Sequence, residues 1–301
     1  MNRIFLRIRD DSGFAGPTHS LSAVAIFLML AAIAPAFFFG KFLKTTDIVV
    51  FISSIFIVAG GALIPDLDNV QSTAKSALGY SGSIISKLMR KISIIIFNLT
   101  KTKYDNSSNS SSSNKFAGAN NPHRQFWHTL VSAFVVGAIV YATTRISKIV
   151  TLPLIKRQVT VGLLFTAMWL SASMKLAIAG LFNKRFNKAR RSTSSKKMIA
   201  INLISLVFPL IVIYTAPADI DYYWVAYAFT FGIIIHLLGD FLTIQGAPLL
   251  WPLKHKGKRW WSYRAIGMRS SGKAEQYVII PTLILIILVS VLVIILREIG
   301  V

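Results

Sequence analysis

Histidine and aspartate residues recur in this chain beside the ends of long apolar segments. Two aspartates follow an apolar run in GGALIPDLDN (60–69), two histidines stand five residues apart in NPHRQFWHTL (121–130), and HLLGD (236–240) holds one of each. Imidazole and carboxylate groups, without any cysteine in the chain, suit a borderline-to-hard divalent ion such as Zn²⁺, Mn²⁺ or Mg²⁺. The pattern predicts a site for one or two ions, because bridging carboxylates are typical of two-metal hydrolytic centres.

The predicted metal ligands come from three of these motifs. His236 and Asp240 are four residues apart and therefore share one face of a helix. Pro65 cannot continue a helix and biases the residue before it toward extended backbone, so Asp66 and Asp68 are expected to project to the same side. The full set of predicted ligands is Asp66, Asp68, His128, His236 and Asp240.

The histidine motif supplies further candidate groups. His123 and His128 lie about 140° apart on an ideal helix, so one of them must precede the regular helix if both serve one ion. Arg124 is four residues from His128, and its guanidinium is expected to face a phosphate. His19, before the first apolar run, is expected to act with His123 as a base or further ligand. Taken singly, each of these residues is also explained as a helix cap or a polar contact.

The elements that must position these residues are apolar segments long enough to cross a bilayer. The chain has 301 residues, of which 54% are hydrophobic, and its mean hydropathy is +0.60. We therefore expect an all-α, polytopic transmembrane bundle that forms a single integral membrane domain over residues 1–301. The predicted spans number about seven and lie near 21–39, 47–64, 128–144, 158–182, 198–217, 222–243 and 277–296.

The basic residues set the expected orientation of the bundle, since the net charge is +22. With seven spans, most lysine and arginine residues fall in the N-terminus and in three long loops on one side of the membrane. The positive-inside rule places that side, with the N-terminus, in the cytoplasm. The predicted ligands then share the cytoplasmic face. Topology and anionic lipid headgroups account for the basicity, so nucleic-acid binding is not favoured.

The longest cytoplasmic loop is predicted over residues 65–127, and two of its segments have a distinctive composition. Residues 83–98 show an amphipathic pattern that predicts a helix lying in the membrane interface, with a short buried helix as the alternative. Residues 105–114, DNSSNSSSSN, predict a flexible linker.

Four segments in this order resemble the LexA-regulated, inner-membrane, metal-dependent hydrolases of the YdjM type: GGALIPDLDN, HRQFWHT, HLLGDFLTIQGAPLLWPL and SSGKAE. Two departures from the family pattern are Asn69 in place of a common histidine, and Gln125, Trp127 and Thr129 within the pattern HRG-x-THS. The resemblance implies a polar site formed by His19, Asp66, Asp68, His123, His128, His236 and Asp240, with Glu275 at a C-terminal acidic position.

The predicted function is a membrane-bound enzyme that hydrolyses an ester or phosphoester bond of a lipid or lipid-linked substrate. It would act at the cytoplasmic face of the inner membrane, where a divalent metal activates water. The predicted partners are therefore membrane lipid and anionic headgroups. Two alternatives are an ion or metal transporter and a non-catalytic protein whose metal only ties helices together. Basic residues 254–259 would hold a phosphate together with Arg124, and the predicted catalytic residues are His19, His123, Arg124 and Glu275.

Overall fold

The computed structural model describes residues 16–34, 48–69, 72–105, 124–153, 157–181, 194–215, 222–266 and 272–299. Within these residues the chain is helical apart from turns, loops and one short hairpin. The helices are α1 (Gly16–Ile33), α2 (Ile48–Gly61), α3 (Thr73–Ala77), α4 (Gly79–Thr100), α5 (Leu130–Thr144), α6 (Val161–Leu181), α7 (Ser194–Thr215), α8 (Tyr223–Phe241) and α9 (Ile280–Glu298).

Among the described residues, four helical segments are long and apolar enough to cross a membrane: α1, α6, α8 and Glu275–Glu298, which contains α9. The apolar helices α2, α5 and Ile199–Tyr214 within α7 are shorter. With 14 residues, α2 spans about 21 Å, which is less than the hydrocarbon thickness of about 30 Å. The chain is therefore a helical membrane protein, whereas seven complete spans and a cytoplasmic N-terminus stay predictions.

One hairpin departs from the expected all-α fold. Strands β1 (Ile149–Leu152) and β2 (Arg157–Thr160) pair antiparallel between α5 and α6. Ile149, Val150 and Thr151 are β-branched, and such residues favour strands over helices. The hairpin lies at the end of α5 opposite to the end that carries His128, so it does not contribute to the predicted site.

The first and fifth helices begin at residues other than those predicted. Helix α1 begins at Gly16, so His19 lies inside its first turns and not before the span. Helix α5 begins only after Thr129, whose Oγ1 accepts a hydrogen bond from the backbone N–H of Ser132 at 3.1 Å. His128 therefore precedes the regular helix and lies in a 3-10 turn, Phe126–His128.

Glycine residues bring α2, α6 and α8 into close contact. A Cβ atom at Gly60 would lie 2.4 Å from the carbonyl oxygen of Ser173 on α6. A Cβ atom at Gly232 on α8 would lie 2.4 Å from the carbonyl oxygen of Val58 on α2. Small residues allow helix backbones to approach closely where lipid supplies no hydrophobic force between helices. This contact places the turn that follows α2 beside the final turns of α8.

The core of the bundle lies among α1, α2, α6 and α8. Val225 and Phe229 of α8 and Leu170 of α6 are fully buried there. Helix α9 lies at the periphery, because only 6% of the residues in the most apolar stretch of Glu275–Glu298 are buried. A peripheral helix with apolar side chains on its outer surface is the arrangement expected for a helix that faces lipid.

Helix α4 covers the predicted amphipathic segment 83–98 and extends beyond it at both ends. Its C-terminal end is tied to the loop that follows α8, since the Asp105 carboxylate accepts hydrogen bonds from the backbone N–H groups of Arg259 and Trp260 at 3.1 and 3.0 Å. Asp105 is also the first residue of the predicted linker 105–114, and the rest of that linker lies outside the described residues.

Candidate metal centre

The centre is organised around His236, which lies in the last turns of α8 and is fully buried. Its Nδ1 atom lies 2.7 Å from the carbonyl oxygen of Ala62 in the turn after α2. A carbonyl oxygen can only accept, so Nδ1 carries the proton and donates it. In the neutral imidazole the other ring nitrogen, Nε2, then presents a lone pair, and it lies 3.4 Å from Oδ2 of Asp240 one helical turn away.

The two aspartates of the PDLD motif lie in a 3-10 turn, Pro65–Asp68, and not in extended chain. The expected bias of Pro65 is absent because Ile64 is helical, with φ −60° and ψ −47°. Pro65 instead occupies the first position of the turn, where its missing N–H costs nothing. The two carboxylates consequently approach different atoms, and Oδ1 of Asp66 lies 3.9 Å from Nε2 of His236.

His128 lies between both aspartates of that turn. Its Nε2 atom is 3.8 Å from Asp66 Oδ1 and 3.4 Å from Asp240 Oδ2. Its Nδ1 atom faces the opposite way and lies 3.8 Å from Asp68 Oδ2. Asp68 is completely buried on the Nδ1 side of the ring, from which a carboxylate can orient a metal-binding histidine. Asp68 lies where a supporting group would lie, and its predicted role as a direct ligand stays a prediction.

His19 and Glu275 join the centre from two further helices. The His19 ring stacks on the His236 ring, with centroids 3.9 Å apart, and its Nε2 atom lies 3.6 Å from Asp240 Oδ1. Glu275 is 1% exposed and accepts a hydrogen bond from the Thr18 hydroxyl group. Glu275 therefore reaches the centre through the residue that precedes His19.

Arg124 is buried beside Asp240 rather than open to a ligand. Its Nη2 atom donates to Asp240 Oδ1 at 2.6 Å, and its Nη1 atom donates to the Gly246 carbonyl at 3.0 Å and lies 3.3 Å from the Thr243 hydroxyl. Arg124 has φ 61°, a left-handed conformation that is uncommon for a residue other than glycine. Only 5% of this residue is exposed, so the expected phosphate contact of Arg124 has no support from the geometry.

The arrangement of donor atoms fits a metal ion. Two ligand atoms held about 2.1 Å from one tetrahedral ion lie about 3.4 Å apart, and each Nε2 atom of His128 and His236 lies 3.4 Å from Asp240 Oδ2. Asp66, Asp68 and Asp240 bring three carboxylates into this cluster, where Asp240 pairs with the Arg124 guanidinium, and such a set of oxygen groups suits a divalent cation. Two groups have ligand atoms within 4.8 Å of one another, His19–Asp66–His236 and His128–His236–Asp240.

The structure brings together most of the residues selected from the sequence. His123 lies outside the described residues, so its predicted role stays a prediction. Sequence reasoning missed the Ala62 carbonyl, which selects the His236 tautomer, and Thr243, whose hydroxyl donates to the Asp240 carbonyl at 2.7 Å. Thr243 had a detectable signal, because it lies three residues after a predicted ligand. The Ala62 carbonyl had none, since any residue supplies a backbone oxygen.

Comparison with known proteins identifies the family of the chain. No curated protein and no solved structure matches the chain. A family model described as YdjM inner membrane protein matches residues 14–299, which include every residue of the candidate centre. The chain therefore belongs to the YdjM inner membrane protein family.

Proposed function

We propose that the protein is a metal-dependent hydrolase whose ion is held by Asp66, His128, His236 and Asp240. The observation that carries the proposal is the pair formed by His236 Nε2 and Asp240 Oδ2, which face each other at 3.4 Å in a fully buried position. Among the described residues, neither atom has a hydrogen-bond partner in good geometry. When His236 is neutral, its ring proton is on Nδ1 and is donated to Ala62, and both facing atoms carry lone pairs. A cation between two buried lone pairs at this distance would stabilise both of them.

The surrounding residues prepare the centre for hydrolysis. A bound divalent ion supplies a Lewis acid and brings the pKa of water toward neutrality. Arg124 holds Oδ1 of Asp240 and thereby directs Oδ2 toward the two histidines. His19 presents Nε2 at the edge of the same group of atoms and is the candidate for holding a proton during the reaction. Glu275 fixes the first turn of α1 through Thr18 and so steadies His19.

An opening beside Asp66 favours catalysis over a purely structural metal. The Asp66 side chain is 21% exposed, whereas the side chains of His128, His236 and Asp240 are at most 1% exposed. Structural metal sites are closed by protein ligands, while catalytic sites keep one position accessible. A substrate would therefore reach the ion from the side of the Pro65–Asp68 turn.

A transport function is less well supported. The histidine and acidic side chains of α8 are confined to its last turns, at His236 and Asp240. The other groups of the centre come from the start of α1, the turn after α2 and the turn before α5. An ion path would require polar groups at successive depths along the spans, and this cluster occupies the adjoining ends of its helices.

The substrate class follows from the location of the centre. The groups lie at the ends of apolar helices in a member of an inner membrane family, so an ester or phosphoester of a lipid or lipid-linked molecule is the proposed substrate. Since the guanidinium of Arg124 is engaged by Asp240 and Gly246, a substrate phosphate would be held instead by exposed basic residues. Lys254 and Lys256 of the loop after α8 are exposed and available for this role.

The test combines metal analysis with a hydrolysis panel. The full-length protein is purified in detergent, its metal content is measured, and phosphomonoesters, phosphodiesters, carboxylic esters and phospholipids are offered with Zn²⁺, Mn²⁺ or Mg²⁺. Asp66→Asn and His236→Ala should lose metal and activity together. Glu298→Gln is the matched control, because this carboxylate is exposed and pairs with Arg297 at the end of α9. Metal without turnover would indicate a structural site, and a protein that binds no metal would refute the centre.

A further inference from the structure

Most of the large apolar side chains of helix α4 are exposed on the outer surface of the protein. The residues it buries are mostly small or polar and recur every three or four positions: Gly82, Ser86, Met89, Ser93 and Phe97. The exposed fractions are 52% for Ile84, 56% for Leu88, 47% for Ile95 and 80% for Leu99. A helix that packs on a core from water shows the opposite arrangement. The apolar face of α4 is therefore presented to something other than water.

The side chains of α4 divide among three faces. With about 100° between successive residues, the buried face, the apolar face and a third face are centred roughly 120° apart. The third face includes Lys87 and Arg90, with Lys91 at its border with the apolar face. Such a helix has one face for protein, one for acyl chains and one for headgroups or water.

The charges of this segment favour an anionic leaflet as the partner. Residues 72–104 contain no aspartate or glutamate, and their basic residues are Lys75, Lys87, Arg90, Lys91, Lys101 and Lys103. A helix with an apolar face beside a basic face lies in the plane of a membrane and gains affinity from anionic lipids. A second copy of the chain is a poor partner, because a symmetric contact through this face would bring like charges together.

The buried face of α4 packs on both turns that carry predicted metal ligands. It contacts the Pro65–Asp68 turn and the Phe126–His128 turn. The Trp127 indole N–H, next to His128, donates to the Met89 carbonyl of α4 at 2.8 Å. The Phe97 ring lies 5.5 Å from the Trp260 ring, which fixes the C-terminal end of the helix on the loop after α8. Helix α4 thus lies at the level of the metal centre and beside its opening.

We propose that α4 lies in the plane of an anionic lipid leaflet, with its apolar face among the acyl chains and its basic face at the level of the phosphates. In this position the helix brings lipid headgroups beside the opening at Asp66. The docking surface stands independently of any reaction. Delivery of a lipid to the centre rests on the proposed function.

The absence of cysteine from the chain permits a direct test. Single cysteines at Leu88, Ile95, Lys87 and Ser86 are spin-labelled in the full-length protein in phosphatidylglycerol–phosphatidylcholine nanodiscs. Collision rates are then measured with oxygen, which concentrates in acyl chains, and with a water-soluble nickel chelate. Labels at Leu88 and Ile95 should favour oxygen, the label at Lys87 should favour nickel, and the label at Ser86 should be protected from both.

Two results would overturn the docking surface. Protection of Leu88 and Ile95 from both reagents would mean that protein covers the apolar face, and a preference of both for nickel would mean that the face is in water. Replacing Lys87, Arg90 and Lys91 with glutamine should abolish any difference in label depth between phosphatidylglycerol and phosphatidylcholine nanodiscs. The same replacement of Arg145 and Lys148, which lie beyond the far end of α5, should leave it unchanged. Equal effects of both replacements would refute the assigned basic face, whether or not the protein hydrolyses a lipid.

Discussion

Arg124→Lys tests whether Arg124 positions Asp240 for metal binding. The Arg124 guanidinium donates hydrogen bonds to Asp240 Oδ1 at 2.6 Å and to the Gly246 carbonyl at 3.0 Å. Lysine keeps the positive charge but presents a single nitrogen on a flexible stem, so it cannot reproduce both contacts in this geometry. The charge near the ion is unchanged, and any loss of affinity therefore reports on the orientation of the carboxylate.

These two contacts set the expected loss of metal affinity. A hydrogen bond to a charged group contributes about 1.5–3 kcal/mol, which corresponds to roughly ten- to hundredfold in an equilibrium constant. Substituting a residue that orients a metal ligand weakens metal binding by the same roughly ten- to hundredfold. Competition between the purified variant and a chromophoric chelator measures the metal dissociation constant directly. The turnover of the variant should fall with the fraction of protein that binds metal, and it should recover in part at saturating metal concentrations.

Arg259→Lys provides the matched control. Arg259 is also partly buried, and its Nη1 atom donates to the Thr100 carbonyl at 2.8 Å, but it contacts no residue of the centre that the structure describes. The control variant should bind metal like the parent protein. An unchanged metal dissociation constant in Arg124→Lys would refute the positioning role, and equal losses in both variants would indicate a general effect on the fold.

Three further outcomes are expected. Asp66→Asn should abolish metal binding, whereas Asp68→Asn should weaken it by roughly ten- to hundredfold, because Asp68 faces His128 from the Nδ1 side. Equal losses of metal affinity in a metal titration would contradict these different roles. A cysteine at Ser110 should react with an impermeant reagent only from the cytoplasm and one at Ala218 only from outside, and labelling of both from one side would refute the orientation. Gly60→Ala should cost about 1–3 kcal/mol, seen as a lower melting temperature in detergent, because its Cβ would lie 2.4 Å from a carbonyl oxygen.

The parts of the site that sequence predicted depend on local spacing and on helix ends. His236 and Asp240 are one turn apart on α8, and their facing atoms are 3.4 Å apart. The expectation that one histidine of NPHRQFWHTL precedes the regular helix agrees with His128, which lies in a turn before α5. These relations hold because helical periodicity fixes neighbours within a few residues. The meeting of four separate segments was predictable because alternating helices return their ends to the same level.

The roles of individual side chains were less predictable because they depend on contacts between distant segments. Asp66 and Asp68 are of one residue type, two positions apart, yet Asp66 faces two Nε2 atoms and Asp68 faces an Nδ1 atom. Pro65 is compatible both with an extended chain and with the start of a 3-10 turn, and nearby residues do not decide between them. The partner of Arg124 lies 116 positions away on α8, beyond the reach of any local pattern.

Helix α4 shows why an amphipathic pattern alone does not determine whether the apolar face of a helix contacts protein or lipid. The segment 83–98 has the same periodicity whether its isoleucines pack on a core or enter a leaflet, since both environments are apolar. The environment of the helix is decided by the opposite face, which an amphipathic pattern would assign to water. Gly82, Ser86 and Ser93 on that face are small enough for close packing on protein. Because that face is buried, the isoleucine face must be turned outward. In the proposed arrangement, the two turns that bear Asp66 and His128 contact a helix whose other side would meet lipid, and the opening of the centre would lie beside that boundary.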